Sequence, residues 1–163
     1  MLDHSQTEKP KLARRGAVGV IVEDQRFLVI RRSWTVRAPG LVCFPGGSIE
    51  PGESAEQAVV REVAEELNLR VSNPQLIWRS VTAWGTHLDW LVVDRVSESI
   101  PVGNPAEVAE WMWIGPDELL RRQDLLGSMW DFFAAWAKSD FELPARAGNV
   151  SLDWHTIGGR SRG

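Results

Sequence analysis

The chain has 163 residues, of which 44% are hydrophobic and 25% are charged, and this composition favours one globular domain. The net charge of −4 argues against broad electrostatic capture of DNA or RNA, and no apolar run approaches the roughly 18 residues that a membrane span needs. The polar start lacks the apolar core of a secretory signal and Cys43 is the single cysteine, so we expect a cytoplasmic protein with neither a nucleic-acid nor a membrane partner.

Three short apolar segments open the predicted fold. The segments "GAVGVIVED" and "RFLVIRR" are rich in Val and Ile and predict two strands of a hairpin that turns at "EDQ". The next segment, "GLVCFPGG", predicts a brief strand that Pro45 and two glycines end. We expect Cys43 to be buried there, because its neighbours are apolar and no partner lies at metal-ligand spacing.

A long helix is predicted in the middle of the chain. Ser54, or Glu53 before it, can cap its N-terminus, and the helix is expected to run to about Leu67. An apolar residue recurs at every fourth position of this segment, which predicts one face that packs on a sheet.

The second half of the chain predicts more strands and then helices. The segments "LRVSNPQLIWRSVTAWG" and "HLDWLVVDRV" indicate a hairpin that meets at Gly85 and Thr86, and "EVAEWMWI" indicates a further strand. Helices are predicted for "GPDELLRR" and "GSMWDFFAAWAK". We therefore expect a polar extension over residues 1–13, one mixed α/β domain over 14–143, and a tail over 144–163 that is compatible with partial disorder.

Three acids crowd one turn of the predicted helix. Glu62 lies beside Glu65 and Glu66 on a helix surface, and Arg61 lies beside Glu65. A solvated charged face is one explanation for such a group. The alternative is a site for Mg²⁺ or Mn²⁺, which prefer oxygen ligands and share their remaining positions with water and phosphate oxygens. The glycines after Pro45 favour this alternative, because they let backbone approach a metal ion or a phosphate closely.

The spacing of these residues resembles a known signature. Residues 47–69 read "GSIEPGESAEQAVVREVAEELNL", and the Nudix hydrolases carry G-x5-E-x7-R-E-U-x-E-E-x-G-U, where U is a bulky aliphatic residue. Every specified position matches except the last glycine, which is Asn68. The resemblance implies an α/β fold, an α/β/α sandwich with a mixed β-sheet, and Mg²⁺-dependent hydrolysis of a phosphoanhydride bond in a nucleoside diphosphate linked to another group, X.

The resemblance also implies roles for individual residues. The metal ligands that it implies are Glu62, Glu65, Glu66 and the Gly46 carbonyl. The catalytic set that it implies is Glu62, Arg61 and Glu53. Glu62 is the first candidate for the general base, Arg61 would hold the carboxylates in place, and Glu53 would brace the loop and the helix. Since the base in this family is sometimes a glutamate outside the signature, alternatives remain at Glu98, Glu107 and Glu110.

Substrate binding is expected from groups outside the acidic turn. Arg31 and Arg37 could reach phosphates from the sheet edge, and Gly47 lets backbone approach the substrate. Nine tryptophans could stack on a base, although most are expected in the core. The expected substrate is a small nucleotide or nucleotide derivative, and a homodimer is compatible with the sequence.

Two other functions remain open from the sequence. A nucleotide-binding module could keep the fold without the chemistry, but it would not need three crowded acids. An isomerase of prenyl diphosphates would need a further proton-transferring group, for which Cys43 in its apolar strand is a poor candidate. Asn68 does not affect the predicted catalytic acids, because asparagine tolerates the left-handed helix cap at a cost of at most about 1 kcal/mol.

Overall fold

The structure of the protein is a computed structural model, which describes residues 12–153. Within that range the strands are β1 (Arg15–Val20), β2 (Val22–Glu23), β3 (Arg26–Arg32), β4 (Val42–Cys43), β5 (Gly46–Ser48), β6 (Val71–Val81), β7 (His87–Arg95) and β8 (Val108–Ile114). The helices are α1 (Ala55–Leu67), α2 (Pro116–Leu120), α3 (Gly127–Ala137) and a 3-10 turn at Ala145–Ala147. The predicted helices and the predicted β6–β7 hairpin are confirmed.

A mixed sheet lies between helices. Its strand order is β5-β1-β7-β6, with β1 and β7 parallel and the other pairs antiparallel. On one face a Cβ placed on Gly19 would lie 3.1 Å from Val59 of α1, so this glycine lets the helix approach the strand closely. On the other face Phe132 of α3 stacks on Trp90 with ring centroids 4.9 Å apart. The predicted α/β/α arrangement with a mixed sheet is confirmed.

The prediction that β1 forms a hairpin with β3 is wrong. This strand pairs with β5 and β7, and only the short β2 turns back onto β3, through Asp24 and Gln25 at φ of 49° and 60°. The chain leaves the mixed sheet at Ile21, and β3 joins β2, β4 and β8 in a second, antiparallel sheet. A run such as "GAVGVIV", which is apolar on both faces, carries no period that would show where one strand ends and the next begins.

The segment "GLVCFPGG" also spans both sheets. β4 pairs with β3 in the antiparallel sheet, whereas the two glycines begin β5 in the mixed sheet instead of ending a strand. Pro45 connects them, and its carbonyl accepts a hydrogen bond of 2.8 Å from the Gly19 amide. This crossing places β5 beside α1. Cys43 is buried, as expected, and burial raises the pKa of its thiol to about 11.

Aromatic residues fill the space between the mixed sheet and α3. Trp90 is fully buried, and its Nε1 donates to the Ser80 hydroxyl at 2.9 Å. Trp34 and Trp84, in contrast, are 73% and 88% exposed. Trp154 lies outside the described residues, as do most of the predicted extension and the second half of the predicted tail. No described helix is long and apolar enough to cross a membrane.

Candidate active site

Helix α1 carries the predicted acids, and both of its ends are defined by local sequence. Ser54 is the N-cap, and its hydroxyl accepts from the Gln57 amide while the Gln57 side chain accepts from the Ser54 amide. At the other end Asn68 is left-handed, with φ 51° and ψ 34°, as the sequence predicts. The Asn68 amide donates to the Ala64 carbonyl at 3.0 Å. These caps fix where the helix begins and ends, and its buried residues, such as Val59 and Val63, set which side faces the sheet.

Arg61 ties the acids of the helix to the preceding loop. Its Nε and Nη2 both donate to Glu53 at 2.8 Å, and Nη2 also donates to the Ser48 carbonyl at 2.9 Å. Its Nη1 lies 2.9 Å from Glu62 Oε1 and 3.2 Å from Glu65 Oε2. The paired guanidinium lowers the pKa of Glu53 to about 2. Arg61 therefore holds the loop, the helix and one Glu62 oxygen in fixed relation.

Glu66 is a buried carboxylate with one backbone partner. It is 4% exposed, and its Oε1 accepts a hydrogen bond of 2.7 Å from the Gly46 amide. Burial raises the pKa of Glu66 to about 8, and the neighbouring carboxylates of Glu62 and Glu107 add to the shift. Burial also raises the pKa of Glu62, against the opposing effect of Arg61. Both acids hold their negative charge at a cost, which a bound cation would relieve.

The glycines of β5 give the acids room. A Cβ on Gly47 would overlap the carboxylate of Glu62, so a side chain at this position would displace that acid. Gly46 has φ of 155°, and a Cβ there would overlap the Ala17 carbonyl of β1. The backbone of β5 therefore forms one wall of the site and lies in direct contact with the acids.

Glu107 supplies a further carboxylate from outside α1. The Asn104 amide donates to the Glu66 carbonyl at 2.8 Å, which also satisfies one of the last carbonyls of the helix. The Glu107 amide donates to the backbone carbonyl of Asn104, and the Glu107 carbonyl accepts from the Ser33 amide, both at 2.9 Å. These bonds hold Glu107 beside Glu66. Its Oε2 is buried and has no hydrogen-bond partner within the part of the chain that the structure describes.

The acids meet in a small open cavity of about 250 Å³, which we call the acidic cavity. It is lined by Arg32, Val36, Gly46, Gly47, Ser48, Glu62, Glu66 and Glu107. Its donors are oxygens, the type that Mg²⁺ and Mn²⁺ prefer, and one carboxylate oxygen is unpartnered. As arranged, no three His, Cys, Asp or Glu side chains among residues 12–153 are grouped to hold a metal ion. The oxygen donors of the cavity are thus the type that binds such an ion. The carboxylate side chains would have to move closer together to bind it.

A larger cavity of about 530 Å³ adjoins the first and is called the inner cavity below. The two cavities share Arg32 and the strand β5. Apolar and aromatic side chains line much of the inner cavity, and these include Phe44, Leu88, Trp90, Leu126 and Met129. Arg37 lies on its wall. The inner cavity therefore combines an apolar surface with guanidinium groups, one of which, Arg32, also lines the acidic cavity.

The structure brings most of the predicted site residues together. Glu62, Glu66, Gly46 and Gly47 line the acidic cavity, whereas Glu65 lies at its side, half-exposed and bound to Arg61. Of the other predicted members, Arg61 contacts Glu62 and Glu65, and Glu53 contacts Arg61 from the loop side.

Of the two predicted arginines only Arg37 lines one of these two cavities, and of the three alternative bases only Glu107 does. Arg31 lies in ion pairs with Glu110 and Asp124, so neither Arg31 nor Glu110 faces the acids. Glu98 lines a different cavity, beside Arg95. Arg32, which the sequence did not single out, lines both the acidic and the inner cavity. Alternation along β3 is the signal that separates Arg32 from Arg31, because successive side chains point to opposite faces.

Comparisons with known proteins agree with this geometry. The NUDIX domain matches residues 13–136. An 8-oxo-dGTP diphosphatase from Escherichia coli (strain K12) is 35% identical over 105 residues, which cover 59% of this chain and 77% of that protein. An m7GpppN-mRNA hydrolase from Bos taurus is 30% identical over 135 residues, which cover 68% of this chain and 45% of the bovine protein. The chain thus spans less than half the length of that relative.

A solved structure gives the same result. The crystal structure of a MutT NUDIX hydrolase from Burkholderia pseudomallei has a TM-score of 0.58 and 28% identity, and the match covers 71% of this chain and 91% of that one. These relatives confirm the predicted family and support the predicted pyrophosphohydrolase class. The chain belongs to the Nudix hydrolase family, whose members cleave pyrophosphate bonds in derivatives of nucleoside diphosphates.

Proposed function

We propose that the protein is a Mg²⁺-dependent hydrolase, with Mn²⁺ as an alternative ion, that cleaves a phosphoanhydride bond in a nucleoside diphosphate linked to another group. The carrying observation is the acidic cavity, where Glu62, Glu66 and the unpartnered Oε2 of Glu107 share one space against the backbone of β5. The names of the relatives also support a nucleotide substrate, since one is an 8-oxo-dGTP diphosphatase. A small-molecule substrate and a cytoplasmic site of action are part of this proposal.

The proposed metal ligands are Glu62, Glu65, Glu66 and the Gly46 carbonyl. A divalent cation held by these residues would neutralise the phosphate oxygens and activate the attacking water. Arg61 keeps Glu62 in position, and its contact with Glu65 keeps that exposed carboxylate near the helix surface. In the reaction the water oxygen bonds to phosphorus, its proton passes to a carboxylate, and the bridging oxygen leaves with the electron pair of the broken P–O bond.

Two carboxylates qualify as the base that receives this proton. Glu62 is the residue implied by the family signature, and one of its oxygens accepts a hydrogen bond from Arg61. Glu107 has the unpartnered oxygen, and it faces the same cavity from outside the signature. The ion pair of Glu110 with Arg31 argues against Glu110 as the base, and the position of Glu98 in a different cavity argues against that residue.

The inner cavity is the proposed nucleoside site. Its apolar wall suits a base, while Arg32 at the boundary with the acids and Arg37 suit the phosphates. Prenyl diphosphate isomerisation is disfavoured, because Cys43, the cysteine that could serve as the further proton-transferring group, is buried.

A substrate panel tests the proposal. Nucleoside triphosphates, dinucleoside polyphosphates, nucleotide sugars and NADH are incubated with and without Mg²⁺, with Glu62→Gln as the matched variant. We expect at least one compound to be cleaved only with metal and much faster by the native protein than by the variant. If no compound meets that condition while one still binds, the protein is a binding module instead of an enzyme.

A further inference from the structure

A third cavity continues the inner cavity away from the acids. This outer cavity, of about 340 Å³, is lined by Leu12, Ala13, Arg14, Arg37, Trp84 and Gly85. It shares Arg14 and Arg37 with the inner cavity, and none of its lining residues lines the acidic cavity. The three cavities therefore follow one another in the order acidic, inner, outer.

Strand β1 gives the direction and length of this path. Val18 pairs with Gly46 and Gly16 pairs with Ser48, so the strand leads from the acids back toward Arg14. Arg14 lies four positions before Val18, which corresponds to about 13 Å of extended strand. The Arg14 carbonyl accepts from the His87 amide at 2.8 Å, which holds the start of the strand beside the β6–β7 hairpin. One nucleoside would therefore fit between the acids and the outer cavity.

Trp84 stands at the tip of that hairpin. The Thr82 amide donates to the Thr86 carbonyl and the Gly85 amide donates to the Thr82 carbonyl, both at 2.9 Å, so the tip is a closed turn. The indole is 88% exposed, which leaves a large flat surface free beside Arg14 and Arg37. A rigid turn thus presents an aromatic face to the same space as two guanidinium groups.

The two arginines of the outer cavity are exposed, and neither has an ion-pair partner in the described part of the chain. Among residues 12–153 no carboxylate lies within ion-pair distance of Arg14 or Arg37. The adjacent Arg15, by comparison, is paired with the buried Asp89. Free guanidinium groups beside an aromatic face are the combination that binds a phosphodiester together with an unpaired base.

We propose that the outer cavity binds a second nucleotide on the 3′ side of the nucleotide that is cleaved. Arg14 and Arg37 hold the connecting phosphodiester, and the second base stacks on Trp84. The preferred substrate is then the 5′-polyphosphorylated end of an oligonucleotide. This inference rests on the proposed function and, at that same site, extends the small-molecule nucleotide proposed above to the 5′ end of an oligonucleotide.

The order of the cavities selects this substrate over a dinucleoside polyphosphate. In a dinucleoside polyphosphate the second base lies beyond the phosphates, on the far side of the acids from the first nucleoside. The exposed indole lies instead beyond the inner cavity, where the 3′ extension of the bound nucleoside would emerge. The net charge of −4 opposes broad capture of nucleic acid, but contact with a single phosphodiester requires only local positive charge.

The test compares kcat/KM for 5′-triphosphorylated ApA with that for ATP, and does the same for the deoxyribose pair. We expect the dinucleotide to be favoured by about tenfold or more, since one stacked base contributes that much. Trp84→Ala is expected to lower this ratio at least about fivefold, and Arg14→Gln is expected to lower it and to weaken its salt dependence. A preference in either sugar series supports the proposal and identifies RNA or DNA as the source of the end.

The controls are a second exposed tryptophan and a second exposed arginine. Trp34→Ala and Arg121→Gln change residues outside the three cavities and are expected to leave the ratio unchanged. Equal kcat/KM for the two substrates, or an unchanged ratio in Trp84→Ala, overturns the inference.

Binding separates this failure from a failure of the proposed function. If nothing is hydrolysed, the affinities for 5′-phosphorylated ApA and for AMP are measured by calorimetry. Tighter binding of the dinucleotide that Trp84→Ala removes supports the outer site although the enzymatic proposal has failed. Equal affinities overturn the outer site as well.

Discussion

Two groups of charged residues in this protein both combine carboxylates with arginines and differ in how their charges are balanced. In the first, which we call the Asp124 cluster, Asp124 lies 2.9 Å from Arg31 and 2.8 Å from Arg122, and the pKa of its carboxyl is lowered to about 2. In the acidic cavity, burial raises the pKa of Glu66 to about 8, and Glu107 has an unpartnered oxygen. One carboxyl is stabilised as an anion by its neighbours, whereas the other is destabilised as an anion.

This difference separates a structural ion pair from a functional site. The Asp124 cluster balances its own charges and, through Arg31, ties β3 to the segment before α3. The Val42 amide of β4 also donates to the Asp124 carbonyl at 2.8 Å. The acidic cavity is lined by three carboxylates and one arginine, and under the proposed function a bound cation would supply the balancing charge. We therefore expect substitutions in the first group to change stability and substitutions in the second to change metal binding and catalysis.

The largest expected effect is on activity. Glu62→Gln removes a proposed ligand and base while keeping the shape of the side chain, and we expect kcat to fall about 10³-fold. Asp124→Asn is the matched control, expected to stay within about threefold in kcat while its free energy of unfolding falls by about 1 kcal/mol. Steady-state kinetics and urea denaturation of both variants measure this. A similar loss of kcat in the two variants would remove the distinction between the groups.

The second effect is stabilisation by metal. A ligand that binds only the native state at one hundred times its Kd stabilises it by about 2.7 kcal/mol, so Mg²⁺ should raise Tm in calorimetry. Because the native pKa of Glu66 is raised from 4.5 to about 8, the metal-free protein should lose stability as pH rises between those values. The gain in Tm on adding Mg²⁺ should therefore grow over the same range. An equal gain in the Glu66→Gln variant would place the ion elsewhere.

Glu107 provides the third comparison. We expect Glu107→Gln to lower kcat about tenfold if this carboxylate only supports the metal site. If it is the base, the acidic limb of the pH profile of kcat/KM should also disappear. Glu110→Gln is the control, because Glu110 lies in β8, three residues after Glu107, and its carboxylate is bound to Arg31. Loss of the acidic limb in Glu62→Gln instead would assign the base to Glu62.

Local pattern accounts for what the sequence predicted correctly. The four-residue apolar step, the Ser54 cap and Asn68 lie within one segment, so α1 and the grouping of its acids follow from helix geometry alone. The β6–β7 hairpin likewise joins neighbouring segments through a short turn.

Distant pairing accounts for what the sequence did not predict. The parallel pairing of β1 with β7 and the position of Glu107 beside Glu66 both depend on residues far apart in the chain. The choice between Arg31 and Arg32 depends on which face of β3 meets the acids. Period-two alternation shows that the two side chains diverge, but it does not show which of them reaches the site.

The smallest expected effect is at the end of α1. Asn68 is exposed in the left-handed conformation, so Asn68→Gly should stabilise the protein by at most about 1 kcal/mol in urea denaturation, with kcat unchanged. Asn73 has the same φ of 51°, but its side chain donates to Asp94 at 3.1 Å, so Asn73→Gly should gain less. The loop that carries Glu107 is bound to this end of the helix, because the Asn104 amide donates to the carbonyl of Glu66, two residues before Asn68. A loss of kcat in Asn68→Gly would therefore mean that the cap also positions this loop.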